Sequence, residues 1–212
     1  MADFKAIAEA LKAGKAPVVK QLVQEAIDNG VGPEEILNKS LVVGMGEIGE
    51  QFKNNEVYVP EVLIAARAMK AGMEIVKPLL IAKDVKPIGT VAIGTVKGDL
   101  HDIGKNLVGM MLEGAGFTVI DLGIDVGPEK FLDACVNQGA QLIGLSALLT
   151  TTMPSMKDTV EALKNAGIRA KVGVMIGGAP VTQNFSDEIG ADGYTPDAAS
   201  AVDLAKALIA KL

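Results

Sequence analysis

The only histidine in this chain of 212 residues is the first place to look for chemistry. It lies in Gly94-Thr-Val-Lys-Gly-Asp99-Leu-His101-Asp-Ile-Gly104-Lys-Asn106, two residues after Asp99 and three before Gly104. A β-branched, apolar stretch precedes the segment and a helical pattern follows it, so His101 falls in a strand-to-helix loop. An imidazole is a common metal ligand. A carboxylate beside one ring nitrogen fixes the tautomer and leaves the other nitrogen free to bind. Taken alone, a histidine in such a loop is more often a surface or capping residue, and Asp99 reads as a helix N-cap.

Two further segments follow strand-like runs. One is Ser146-Ala-Leu148-Leu-Thr150-Thr-Thr and the other is Gly177-Gly178-Ala179-Pro180. Each has an ordinary reading. Ser146 ends a strand, the threonines begin a helix, and a glycine pair marks a turn. No Gly-x-Gly-x-x-Gly follows the first strand and no Gly-Lys-[Ser/Thr] loop occurs, so dinucleotide and phosphate-loop fingerprints are missing.

The elements that position these segments begin after a change of period. Residues 1–83 read as helix throughout. Apolar spacing predicts helices over 6–11 and 17–28, a third from Pro33 toward Phe52, and a long one from Pro60 through Leu80. Asn29-Gly30 and Lys53-Asn-Asn55 interrupt them. Four helices with short connections predict an antiparallel bundle. Residues 84–87 read as a linker. From residue 88 to 212, strands near 88–96, 117–120, 142–146, 171–176 and 193–194 alternate with helices. That alternation predicts an α/β fold with a doubly wound, parallel, five-stranded, Rossmann-like (flavodoxin-like) sheet. An order of 2-1-3-4-5 brings all three segments to one crevice beyond the strands' carboxyl ends.

Composition narrows the function classes. A net charge of −6 argues against nucleic acid or an anionic membrane as partner. Aromatics make up only 3% of the chain, so its core must be aliphatic and alanine-rich. Cys135, the only cysteine, excludes an internal disulfide and cysteine-rich zinc sites, and reads as a buried helix residue rather than a reactive thiol. No signal peptide and no membrane-length apolar run is evident, so a cytoplasmic location is the expectation.

Taken together, the three segments resemble the cobalamin-binding domain of methionine synthase, the coenzyme B12 mutases and corrinoid proteins. The shared pattern is Asp-x-His-x-x-Gly, then Ser-x-Leu, then Gly-Gly. Here 41 residues (105 to 145) separate Gly104 from Ser146, and 28 (149 to 176) separate Leu148 from Gly177, which agrees with that family. The resemblance implies that His101 ligates cobalt in place of the cofactor's own dimethylbenzimidazole. It implies that Asp99 accepts a hydrogen bond from the other ring nitrogen, and that Ser146 hydrogen-bonds Asp99. The displaced nucleotide tail is expected among Gly104, Ser146, Leu148, Gly177 and Gly178. Gly98, Asp102, Ile103, Thr150 and Ala179 complete the expected cofactor-binding set.

The helical half, through Met45-Gly-Glu-Ile-Gly-Glu50-Gln-Phe52 and Glu56-Val-Tyr58-Val-Pro60-Glu61, resembles the cap over the corrin in the same proteins. Tyr58, Val59 and Val62 are the expected contacts there. Met69 and Met73 read as bundle core.

A cap plus a cobalamin domain, with no mutase barrel, DNA-binding domain or further synthase module, resembles the corrinoid proteins of anaerobic methyltransferase systems. The implied role is a methyl carrier between a substrate-specific methyltransferase and a second, acceptor methyltransferase, with a reductive activase. Methylamines, methanol and aryl methyl ethers (the O-demethylase case) are the candidate donors, and tetrahydrofolate or a thiol the acceptor. The alternative is a cobalamin-binding sensor or storage protein without turnover. Whether such a subunit counts as an enzyme is left open.

Overall fold

The computed structural model describes residues 3–212. It divides into two compact units, which meet in sequence between Pro87 and Ile88, with Gly114–Gly116 grouped with the first.

The first unit is helical: α1 (Phe4–Lys12), α2 (Ala16–Asp28), α3 (Pro33–Ile36), α4 (Val42–Lys53) and α5 (Val59–Ala82). Asp3 caps α1 by accepting from the Ala6 amide. Prolines at the first turns of α2, α3 and α5 cost nothing, because those amides have no helical acceptor. The third expected helix is continuous but not uniform. A wider π-type turn over Leu37–Leu41 joins α3 to α4, where the buried Ser40 hydroxyl donates back to the Ile36 carbonyl. α2 packs along α5, and α1 against α4. Ile7, Leu11, Val19, Val23, Ile36 and Met45 are buried among them, as the apolar periodicity predicts.

The second unit is a sheet with helices on both faces. Its strands are β1 (Thr90–Thr95), β2 (Thr118–Asp121), β3 (Leu142–Ser146), β4 (Gly173–Gly177) and β5 (Gly193–Tyr194), all parallel, in the order β2-β1-β3-β4-β5. That is the expected order. The connecting helices are α6 (Ile103–Gly114), α7 (Pro128–Asn137), α8 (Pro154–Asn165), α9 (Gln183–Ile189) and α10 (Ala198–Ile209). Phe131 of α7 and Met156, Val160 and Leu163 of α8 pack on Ala92, Ile143, Leu145 and Val174. α6 and α10 lie against the opposite face, with Gly109 against Ile93 and Leu208 against Gly173. The central strands are buried on both faces, which explains their unbroken apolar runs.

Register decides the rest. Thr95 pairs with Ser146, and Ser146 with Gly177. The three sequence segments therefore leave the sheet from one row, beside the switch point between β1 and β3. No helix among the described residues is long and apolar enough to cross a membrane.

Candidate functional site

Asp99 is the centre of the site. Its carboxylate is wholly buried, yet every donor it needs has been brought to it. Oδ1 accepts from His101 Nδ1 at 2.8 Å and from the His101 backbone amide at 3.1 Å. Oδ2 accepts from the Leu148 amide at 2.8 Å, the Leu149 amide at 3.2 Å and the Thr152 hydroxyl at 2.7 Å. Burial pushes this carboxyl up, but the bonds from Thr152, His101 and Leu148 outweigh it and hold it well below the usual carboxylate range.

That settles the histidine's tautomer. An ionised carboxylate only accepts, so Nδ1 carries the proton and donates it to Asp99. In the neutral ring the lone pair is then on Nε2, on a side chain that is 51% exposed. An imidazole held by a carboxylate at one ring nitrogen presents the other in a fixed direction, as metal-binding histidines do.

The loop is held from outside as well. Asp125, in the left-handed region at φ 52°, accepts from the Gly98 amide at 2.7 Å, and its own amide donates to the Asp99 carbonyl at 3.1 Å. Lys105, on the first turn of α6, is nearly buried and donates to both oxygens of Asp121 at 2.6 and 2.7 Å. It also donates to the Asn106 side-chain oxygen, and Asn106 donates in turn to Asp102.

One expected contact does not form. Ser146 is not among the donors to Asp99, although it stands level with Thr95 at the end of β3. Thr152 takes that place, from the turn before α8. The hydroxyl has one proton, which goes to the carboxylate. The nearby Leu149 carbonyl is served by the Thr152 amide at 3.0 Å.

The remaining expected residues sort by what surrounds them. Leu100, Ile103, Leu148 and Leu149 are 66, 77, 43 and 42% exposed, so the two loops that meet at Asp99 carry an apolar rim. Asp102, Gly104, Thr150 and Ala179 are also exposed. Val62 is not available in this way. It is fully buried, so it belongs to the packed interior rather than to an open surface. Tyr58 is exposed and Val59 half-buried at the start of α5, where Glu61 accepts from the Tyr58 amide. These two lie in the other structural unit.

The glycines test whether a corrinoid with a displaced tail fits. A methyl group added at Gly104 would meet nothing within 4 Å, and one at Gly177 only the Thr195 carbonyl oxygen at 3.7 Å. Neither position needs glycine for packing, and both leave open space beside the loop, as an incoming ligand requires. Gly178 differs. Its φ is 131°, and an added Cβ would lie 1.8 Å from the Ala147 carbonyl oxygen. It is glycine because the backbones cross there. A free imidazole lone pair, an apolar rim and bare backbone beyond β1 and β4 fit a flat, largely apolar metallocofactor with a tail.

Thr152, Thr95, Asp125 and Lys105 were not singled out by sequence reasoning. Thr152 lay within a threonine run already noted, and Thr95 within the histidine segment. Asp125 and Lys105 carried no local signal. Burial pushes the Cys135 thiol up to about 11, away from the thiolate form.

Comparison with known proteins agrees with this geometry. Residues 89–203 match the B12 binding domain family, and residues 4–77 match a second family of the same description. Trimethylamine corrinoid protein 1 of Methanosarcina acetivorans is 44% identical over 191 residues, 89% of this chain and 88% of the relative. Dimethylamine corrinoid protein 3 of the same organism is 41% identical over 212 residues, 99% of this chain and all of the relative. Among solved structures, the methanol:cobalamin methyltransferase complex MtaBC from Methanosarcina barkeri matches with a TM-score of 0.86 and 34% identity. That match covers 99% of this chain and 80% of the matched one.

Proposed function

The chain belongs to the B12-binding corrinoid proteins, and on that premise we propose that it is a methyl carrier whose corrinoid is held by His101. The cofactor of this family is a corrinoid, whose cobalt supplies the atom on which a methyl group is carried. The protein's own contribution is to hold and orient. His101, whose side chain is half exposed, would hold the cobalt through Nε2 in place of the cofactor's base. Asp99 keeps the Nδ1 proton and lends its charge, and Thr152 and the Leu148 and Leu149 amides keep Asp99 ionised. Gly104 and Gly177 leave room for the displaced tail. The Asp99-locked tautomer of the only histidine carries this reading.

The methyl donor is presented by a substrate-specific methyltransferase, and the acceptor, tetrahydrofolate or a thiol, by a second one. A reductive activase restores the carrier. The names of the relatives, trimethylamine and dimethylamine corrinoid proteins, favour a methylamine over methanol or an aryl methyl ether as donor. The proposed setting is the cytoplasm. Residues 84–87 are the proposed hinge of the cap. Stiffening them is expected to slow methyl transfer and leave corrinoid retention intact.

The test uses the chain loaded with hydroxocobalamin under strong reductant. It is mixed with methylamine- or methanol-specific methyltransferases and carbon-14-labelled donor, then desalted. Label retained on the protein-bound corrinoid supports a carrier. Tight corrinoid retention with no label from any pair would instead favour a sensor or storage protein.

A further inference from the structure

His101 has four polar groups, and three of them are held. Its ring Nδ1 and backbone amide both donate to Asp99 Oδ1. Its carbonyl accepts from the hydroxyl of Thr95 at 2.8 Å. Only Nε2 is left. The first two bonds end on a single oxygen, so by themselves they allow the residue to swing about that oxygen. The third comes from a different element, the last residue of β1, and removes that freedom.

Thr95 is suited to this. Its side chain is wholly buried in the sheet, where a hydroxyl without a partner is costly. Its backbone is already fully engaged: the amide donates to Gly123, and the carbonyl accepts from the Val126 amide at 2.9 Å. The hydroxyl is thus a buried donor carried by a sheet strand and directed at the backbone of His101.

We propose that Thr95 is a positioning residue for His101: its hydroxyl fixes the histidine's backbone, and through it the direction of Nε2 and the share of bound corrinoid that is histidine-ligated. The proposal rests on the reading of His101 as lower ligand. A purely structural threonine would matter to stability alone.

The experiment exploits the chain's single histidine, which gives one set of ring-nitrogen signals. Wild type, Thr95→Val, Thr95→Ala and Thr95→Ser are labelled with nitrogen-15 histidine. The ring tautomer of each apoprotein is read by long-range proton–nitrogen correlation. Each is then loaded with hydroxocobalamin and reduced to cobalt(II), and the ligand nitrogen splitting is read by electron paramagnetic resonance.

Wild type and Thr95→Ser should show the Nδ1–H tautomer and the same ligated fraction. Losing the hydroxyl, in Val and Ala alike, should lower the ratio of Nδ1–H to Nε2–H tautomer, and of histidine-ligated to free corrinoid, roughly three- to tenfold. Unchanged ratios in both, with only the unfolding midpoint lowered, would overturn the proposal, as would a Ser variant no better than Val. If the wild-type splitting does not respond to the label, the lower-ligand reading fails. The apoprotein tautomers still decide whether Thr95 positions the ring.

Discussion

The carboxyl ends of β1 and β4 lie in one row of the same sheet, and they are built on opposite plans. At β1 the chain places side chains: Asp99 buried and bonded five times, His101 locked to it, Thr95 and Asp125 holding the loop. At β4 it withholds them, with Gly177 beside open space and Gly178 where two backbones cross. The first end gives direction and charge, the second gives room. The lesson is that a glycine in a binding motif is not one kind of residue. Gly178 is required by the fold itself, whereas Gly177 and Gly104 leave space the fold does not use.

Substitutions should separate the two plans. The largest effect belongs to Gly178→Ala. With φ in the left-handed half and the new Cβ on the Ala147 carbonyl, it should destabilise the apoprotein by at least about 3 kcal/mol in denaturant melts. A loss below about 1 kcal/mol would show that the crossing is slack.

Asp99→Ala comes next. It strands the Leu148 and Leu149 amides, while the Thr152 hydroxyl can turn to the Leu149 carbonyl, and should cost about 2–4 kcal/mol. The effect carries a pH signature. The folded-state pKa of Asp99 is depressed, so its stabilisation is fully present above the unfolded value, about 3.9, and lost as pH falls below it. The stability gap between wild type and Asp99→Asn should therefore shrink on acidification past about 4. A gap that widens there would reverse the sign.

Thr152→Val removes one bond to a charged acceptor. A loss of about 1.5 kcal/mol is expected in the same melts, with Thr152→Ser near wild type. Ser146→Ala should be smaller than Thr152→Val. The reverse order would return Ser146 to the place first expected of it.

Gly104→Ala should split stability from binding. In the first turn of α6, alanine should leave the apoprotein unchanged or up to about 1 kcal/mol more stable. It should nevertheless weaken retention of hydroxocobalamin on gel filtration. Unchanged retention would mean that the tail does not pass this position.

Much of this architecture is readable from sequence because its signals are local. Five apolar strands alternating with helices leave few topologies, and the order found is the one expected. Asp99 and His101 meet because two positions along a loop suffice to join them. The rest depends on contacts that no short pattern encodes. Thr152 reaches Asp99 across 53 positions, and nothing in Thr150-Thr-Thr152 says which hydroxyl turns inward. Lys105 reads as a surface lysine until Asp121, 16 positions on, is found beside it. Val62 is an expected cap contact by resemblance alone, and a resemblance cannot tell an exposed apolar residue from a buried one.

The central claim is that Asp99 fixes His101 so that Nε2 becomes the lower ligand of a bound corrinoid. Its most direct test is the cobalt(II) electron paramagnetic resonance spectrum of the hydroxocobalamin-loaded protein, with and without nitrogen-15 histidine. The account predicts retained corrinoid whose nitrogen splitting changes from a triplet to a doublet on labelling, and loss of that splitting in His101→Ala. Retained corrinoid with an unchanged triplet would contradict it, because the ligand nitrogen would then come from the cofactor's own base.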